Sequence, residues 1–465
     1  MSWHSSFLLI QVITIWHGEL PIHASLQGNK NHEIWRNIRI PFYMIKPSII
    51  IIGAGATGLI AAKELSRLFK VTILEAQSHT GGRLHSISMQ GNLIEAGAEF
   101  VHGNPPFTLA LLKKAGIDCV KTEGEMYRKR NGRFTRAVEI TEGWDGLLEK
   151  MKAVKEDISI QELLETYYGG PGNELLRRHV KSYAEGFDLA DITRASVKAL
   201  YREWSTEDYN SYRIPAGYSK LALYLQKQAE TQGSSVFTCT PVKEVEWQQG
   251  AVKVYAADGE KYTADKLLVT VPVSVLQQPA SNAYIQFTPP IHFDENTAGK
   301  IGFGAVIKVV LKFKNRFWQE DAGFVLSEEL FSTWWTQLPD LTPILTGWLG
   351  GPGAAAISNE TDEAIVEKSL ASLAAIYDKP VLALKEALVQ AMVFNWQKNQ
   401  YVMGAYSYAT MLSETAINIM TTPLAGTVFF AGEALYTGVH PGTAEAALAS
   451  GITAAASIIN SGKYP

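Results

Sequence analysis

The chain has 465 residues, too many for one ordinary core and enough for two domains at roughly 100–200 residues each. A hydrophobic fraction of 46% supports a large folded interior, and a formal charge of −4 offers no basic field for nucleic acid. Cys119 and Cys239 are the only cysteines, which excludes a disulfide scaffold and a cysteine metal cluster. No metal is expected, and both thiols read as small apolar residues rather than reactive groups.

Residues 1–43 precede the first recognisable element. Phe7 to Trp16 has the apolar character of a signal core, and Ile22-His23-Ala24 stands where a cleavage would follow, yet no Lys or Arg precedes the run. Two readings stay open: an export signal or appendage, or a cytoplasmic protein starting at Met44. No uninterrupted apolar run of about 18 residues follows, so no integral membrane segment is expected.

Ser48 to Ile52 is a continuous apolar run of the kind that fills a parallel sheet. It leads into Gly53-Ala54-Gly55-Ala56-Thr57-Gly58, a helix, and a second strand, Val71 to Leu74, closed by Glu75. Gly53 permits the tight turn, Gly55 lets main chain approach a pyrophosphate, and Gly58 lets helix and sheet pack closely. The helix N-terminus offers free N–H groups to the phosphates, and Glu75 falls where an acid bonds a ribose hydroxyl. A lone glycine triplet also suits a plain βα turn; here the strand, helix and terminal acid required of a dinucleotide site are all present.

Directly after Glu75 the chain reads Ala76-Gln77-Ser78-His79-Thr80-Gly81-Gly82-Arg83. A Gly-Gly-Arg in this position resembles the flavin-binding amine oxidase family, the monoamine and polyamine oxidases. The resemblance implies FAD, with Ala76 and Gly82 against it and Arg83 near its pyrophosphate, where a planar guanidinium suits phosphate oxygens.

Gly97-Ala98-Glu99-Phe100-Val101-His102-Gly103 resembles the family's substrate-side loop. Gly97, Ala98 and Glu99 are expected against the cofactor, and Phe100 and His102 on the substrate side. Glu99 is also a candidate for attracting a cationic amine. His102 competes with the reading of a histidine bonding main chain. Phe100 stands where L-amino-acid oxidases of this kind place a carboxylate-binding Arg, which argues against an α-carboxylate substrate. The following segment, near 106–212, carries helical patterns such as Glu174 to Val180, and Tyr168-Gly169-Gly170-Pro171-Gly172 reads as a turn.

Val242-Lys243-Glu244-Val245 and Ala264 to Pro272 resemble the family's middle FAD segment, with Val242 contacting the adenine through main chain. Ile301 to Val309 resembles the strand that carries the family's flavin-proximal lysine. Read as one strand, it places Gly302, Gly304, Val306, Lys308 and Val310 on one face, small and apolar apart from the lysine. Lys308 is either a lysine snorkelling to water beside Lys312 and Lys314 or, as the resemblance implies, the catalytic group holding a water near flavin N5. Trp334, Trp335 and Trp348 are candidates for an access funnel, or core.

Trp396 to Tyr408 resembles the segment that lays aromatics beside the flavin, with Trp396 on the cofactor and Tyr406 on the substrate. Ala405 occupies the place of the cysteine that tethers FAD in monoamine oxidases, so a non-covalent flavin is expected. Val428 to Glu433, Pro441-Gly442-Thr443 and the helix from Ala444 to Ile459 resemble the closing motif. There Gly432 and Glu433 meet the ribityl-phosphate, and Pro441 and Thr443 start a helix whose N-terminus faces the flavin. His440 is a candidate wall of the substrate cage, or a helix-entry residue.

The expected fold class is α/β, a Rossmann-type FAD-binding domain built from discontinuous segments (44–105, 213–285 and 393–465). Segments 106–212 and 286–392 form an inserted mixed sheet-and-helix, α+β, substrate domain. The resemblance implies oxidation of a primary or secondary amine to an imine, hydrolysed in water, with oxygen reduced to hydrogen peroxide. The partners are a small amine and molecular oxygen; oligomeric state stays open. Two alternatives remain: a flavoprotein acting on a larger hydrophobic molecule, as protoporphyrinogen oxidases and carotenoid desaturases do, or a redox-silent FAD-binding scaffold. The former would not be expected to keep the Trp396 to Tyr408 segment.

Overall fold

The structure is a computed structural model that describes residues 46–136, 143–206, 208, 210–291, 293 and 295–462. The readings of 1–43 and of Met44 as a start lie outside the described residues. Ser48–Ile52 is flanked on both edges by parallel partners, Lys70–Leu74 and Lys266–Val269. Ser235–Phe237 and Val428–Phe430 extend the sheet to five parallel strands. Alternate residues of the first strand enter different cores: Ile49 and Ile51 pack under the helices Ala56–Leu65 and Ala444–Asn460, and Ile50 and Ile52 pack on the opposite side. Burial on both faces is why this strand reads as an unbroken apolar run.

A second, seven-stranded sheet runs in the order Leu388–Asn395, Val306–Phe313, Ile344–Gly350, Thr333–Trp335, Ala322–Leu326, Glu125–Arg130 and Arg133–Arg136. One face packs on the helix Asp362–Tyr377 through Ile307, Val309, Leu311 and Trp334. The other face carries Lys308 and packs through Val306 on Ala96 and through Val310 on Met89 and Ile94.

One expectation is corrected. Ile301 to Val309 is not a single strand: Gly302–Phe303 pairs with Ser407–Tyr408 in a separate small sheet, and Val306–Phe313 joins the large one. Main-chain bonds made by Gly304 with Tyr406 and Ala405, at 2.8 and 2.7 Å, hold the crossing between them. Alternation therefore places Lys308 with Val306 and Val310, and gives no shared face with Gly302 or Gly304.

Candidate functional site

All five parallel strands end on one cavity of about 1090 Å³, through Gly53, Glu75, Thr240, Thr270 and Ala431. Ligands of open parallel sheets bind outside the carboxyl ends of the strands where strand order reverses, and the central strand Ser48–Ile52 provides that reversal here. The volume exceeds the usual range for a small-molecule pocket, so cofactor and substrate have room together.

At the glycine turn, Gly53 adopts φ +103° and donates its N–H to Leu74 O at 2.8 Å. A Cβ on Gly58 would lie 2.0 Å from Gly53 O, whereas a Cβ on Gly55 would meet nothing within 4 Å and would project into open space. The helix Ala56–Leu65 starts at Gly55 with no side-chain cap, so its first N–H groups face the cavity beside Gly55, Ala56 and Thr57. That is the arrangement of an anion site at a helix N-terminus. Glu75 is buried, accepts from Ala54 N at 2.7 Å and Gln77 N at 2.9 Å, and lines the cavity.

Arg83 reaches across the cavity to the closing segment: its Nη1 donates to Ala405 O at 2.5 Å and Glu433 Oε1 at 2.9 Å. Glu433 is buried and also accepts from Ser407 Oγ at 2.6 Å. The Gly-Gly-Arg and Gly-Glu motifs, 350 residues apart, are thus tied by one ion pair. Thr443 caps Ala444–Asn460 by accepting from Ala446 N at 3.1 Å, and this helix points its N-terminus at the cavity. Ala76, Gly82, Gly97, Ala98, Val242, Trp396, Gly432 and Pro441 line the same space; Trp396 Nε1 donates to Ala96 O at 2.9 Å. Of the residues expected against the cofactor, Gly58 alone stands behind the wall, as its packing role requires.

Lys308 is 2% exposed, which removes the snorkelling reading. Its Nζ lies 2.7 Å from Glu99 Oε2 and donates to Glu95 O at 2.7 Å and Gly97 O at 3.2 Å. Glu99 Oε1 accepts from Arg213 Nη2 at 3.1 Å and Trp335 Nε1 at 2.8 Å. Burial alone would raise the Glu99 carboxyl, but Lys308 and Arg213 outweigh it and hold the group below its ordinary value. Glu99 lines the cavity as expected, yet its oxygens are spent on these partners, so it is not an open attractor for a cationic amine. Replacing it with Gln leaves Lys308 buried without its counter-charge; we expect a clear loss of stability, on the order of 3–5 kcal/mol for a broken buried pair, measurable by chemical denaturation.

Glu95 lies beneath this cluster and accepts from Tyr218 N at 2.8 Å and Ser86 Oγ at 2.9 Å. Burial pushes its carboxyl up to about 7 against the pull of those two donors. The folded state therefore holds this proton more tightly than the unfolded state. Its stabilising contribution is complete below the ordinary carboxylate value of 4.5 and is lost as pH rises through about 7. Glu95→Gln should flatten the pH dependence of unfolding in that window; an unchanged slope would contradict the assignment.

On the substrate side, Phe100, His102, Tyr406 and His440 all line the cavity. Phe100 packs against Trp335 with ring centroids 5.5 Å apart, and His102 lies edge-on to Phe187 at 5.7 Å. His102 is exposed to the open cavity, and its enclosure within the fold, with the nearby His440, lowers its imidazole below the ordinary value. Tyr406 stacks on Trp348 at 6.5 Å and donates its hydroxyl to Phe187 O. Trp335 and Trp348 do line the space; Trp334 does not. It is fully buried in the core beneath the sheet, because neighbouring strand residues point to opposite faces. Sequence reasoning missed Arg213, which anchors Glu99, and Tyr436, a cavity aromatic in the closing segment.

These residues fit FAD: uncapped helix N–H groups, a glycine with open space above it, a buried acid at the strand end and an arginine beside the turn share one wall. A family model described as flavin containing amine oxidoreductase matches residues 56–459. Lysine-specific histone demethylase 2 of Homo sapiens is 28% identical over 455 residues, covering 88% of this chain and 53% of that protein. Polyamine oxidase 2 of Arabidopsis thaliana is 25% identical over 450 residues, covering 88% and 87%. The chain thus spans about half the length of the first curated relatives it matches. Two solved structures share the fold: putrescine oxidase bound to putrescine (TM-score 0.75, 21% identity) and cyclohexylamine oxidase from Brevibacterium oxydans (TM-score 0.74, 18% identity). Each match covers 89% of this chain and 99% of the other. The motifs meet around one cavity and the family model spans nearly all of the described chain: the protein belongs to the flavin-containing amine oxidoreductase family.

Proposed function

We propose that the protein binds FAD non-covalently and oxidises a primary or secondary amine to an imine, which water hydrolyses, with oxygen as electron acceptor. The observation that carries this reading is the buried Lys308 on the cavity wall, held by Glu99 and the Glu95 and Gly97 carbonyls. Family membership supplies the flavin, and the names of the polyamine, putrescine and cyclohexylamine oxidases among its neighbours support an amine substrate. The histone demethylases among the relatives are named for a lysine of a protein.

Bound FAD supplies the two-electron acceptor for the α-C–H bond of the amine. The chain's own residues align and enclose the reactants. Gly55, the Ala56–Leu65 N-terminus, Glu75, Arg83 and Glu433 would hold the dinucleotide; Tyr406 and Trp348 would flank the amine, and the neutral His102 would offer it an uncharged hydrogen-bonding partner. Lys308, its three N–H donors taken by Glu99, Glu95 O and Gly97 O, would set its fixed positive charge at the reacting edge of the ring, which makes it the catalytic residue of this reading. The positive end of the Ala444–Asn460 helix would support the electron-rich reduced ring.

Cys119 and Cys239 both lie outside the cavity lining, and Ala405 lies within it. Acid precipitation should therefore release all flavin into the supernatant; colour retained in the pellet would contradict non-covalent binding. Hydrogen peroxide release, measured over a panel of alkyl, aryl and polyamines, tests the reaction itself. Peroxide formation with an amine supports it, and a yellow protein inert with every amine would point to the scaffold reading.

A further inference from the structure

Five side chains form one row across the large sheet. Lys308 pairs across strands with Trp348, Trp348 with Thr333, Thr333 with Leu326, and Leu326 with Arg128. Residues paired in this way point to the same face, and all five line the cavity. Neighbouring strands lie about 4.8 Å apart, so four steps set Arg128 roughly 19 Å from Lys308. The parallel row Trp335, Phe324 and Met126 lines the same wall, whereas Val309, Trp334, Val325 and Tyr127 point into the core beneath.

The opposite wall of this limb is the helix Glu174–Gly186. His179, Ser182, Tyr183 and Gly186, spaced three and four apart, share one stripe and line the cavity. Trp348 Nε1 donates to Gly186 O at 2.7 Å and pins one end of the helix to the sheet; at the other end His179 feels Arg128, Arg130 and Arg178.

The two ends of the slot differ in charge. Asp188 and Glu203 face Tyr406 at the Lys308 end, where Glu433 also acts on the phenol. At the far end three guanidinium groups face one carboxylate: Glu328 lies 3.6 Å from Arg130 and 3.7 Å from Arg178. Arg128 is half-buried and has no carboxylate within ion-pair distance among the described residues. Burial, then Arg130, lower its guanidinium below the ordinary value, while Glu328 opposes them. His179, lowered to about 4 by burial and by the same arginines, is uncharged at neutral pH. A half-buried fork with five donors facing a cavity is suited to a carboxylate or phosphate.

We propose that the Arg128 end of the cavity is an anion-binding subsite, and that the substrate is an amine whose apolar chain ends in a carboxylate or phosphate on the order of 15–20 Å away, the span set by the strand spacing. The amine end of this proposal rests on the reading under Proposed function; the anion end rests on the Arg128 row itself. Trp348, Leu326, Trp335, Phe324 and Met126 supply the apolar walls between the two. Amino acids, whose charges adjoin one carbon, do not span it.

The test uses the flavin-loaded enzyme, its flavin reduced beforehand and kept from oxygen so that no amine is oxidised, and measures binding by calorimetry for ω-aminododecanoic acid, ω-aminododecyl phosphate, dodecylamine and dodecane diamine, followed by KM for each in air. Either anionic amine should bind at least about tenfold more tightly than dodecylamine, as a charge-assisted bond gives; the stronger of the two identifies the anion. Arg128→Gln should erase that advantage and Arg128→Glu should transfer it to the diamine, with thermal unfolding confirming that both variants fold. Equal affinities in the wild type, or an advantage that survives Arg128→Glu, would overturn the subsite. Arg128-dependent binding without turnover of any amine would keep the subsite and overturn the amine-oxidation reading instead.

Discussion

Lys308→Met should leave FAD content near the wild-type level while slowing one flavin half-reaction by about 10²–10⁴-fold, the usual worth of a positioned proton-handling group. Met keeps most of the side-chain volume, so the small apolar neighbours Val306 and Val310 stay packed, and Glu99 keeps Arg213 and Trp335. The variant should therefore fold, though with reduced stability because a buried carboxylate has lost its closest cation. Adding Glu99→Gln should not restore that stability, since it takes from the largely buried Arg213 its carboxylate partner. Stopped-flow absorbance separates reduction by substrate from reoxidation by oxygen. Wild-type rates in both would make the lysine a structural ion-pair partner only.

Gly55→Ala and Gly58→Ala should part company, and the contrast distinguishes a dinucleotide cradle from a plain βα turn. At Gly58 a Cβ would stand 2.0 Å from a main-chain oxygen that cannot yield, so the strand and helix must separate. Overpacking typically costs 1–3 kcal/mol, and this contact against backbone should cost at least about 3 kcal/mol of apoprotein stability. Gly55 has φ −72° and ψ −178°, which any residue adopts, and open space above it. Its alanine variant should match the wild-type apoprotein in denaturation and lose FAD affinity, because the added methyl occupies the approach to the pyrophosphate. Wild-type FAD affinity in Gly55→Ala would show that nothing approaches the turn there.

What the sequence made legible is what local backbone geometry demands. The glycine turn, the acid closing the second strand and the Gly-Glu pair ending the last strand are each set by a few adjacent residues, and all reach the cavity. The helix Ala444–Asn460 was readable from the Pro441-Gly442-Thr443 that opens it. Partners brought together only by the tertiary fold were not. Arg213 and Trp335 meet Glu99 across 114 and 236 residues, and nothing near any of the three indicates the meeting. Alternation could have shown that Trp334 and Trp335 cannot both face a cavity, but it could not say which one does. Gly304 bends the chain from one sheet to another inside a segment whose hydrophobicity looks continuous. The row from Lys308 to Arg128 depends on the registers of five strands drawn from two distant stretches of the chain.

The most direct measurement of the central claim is the visible absorbance of the purified protein mixed with amines in the absence of oxygen, then opened to air. The account predicts a flavin spectrum that bleaches with a substrate amine and returns with oxygen as peroxide appears, and that is absent from protein stripped of FAD. A protein that takes up no FAD, or whose flavin no amine can bleach, would contradict it.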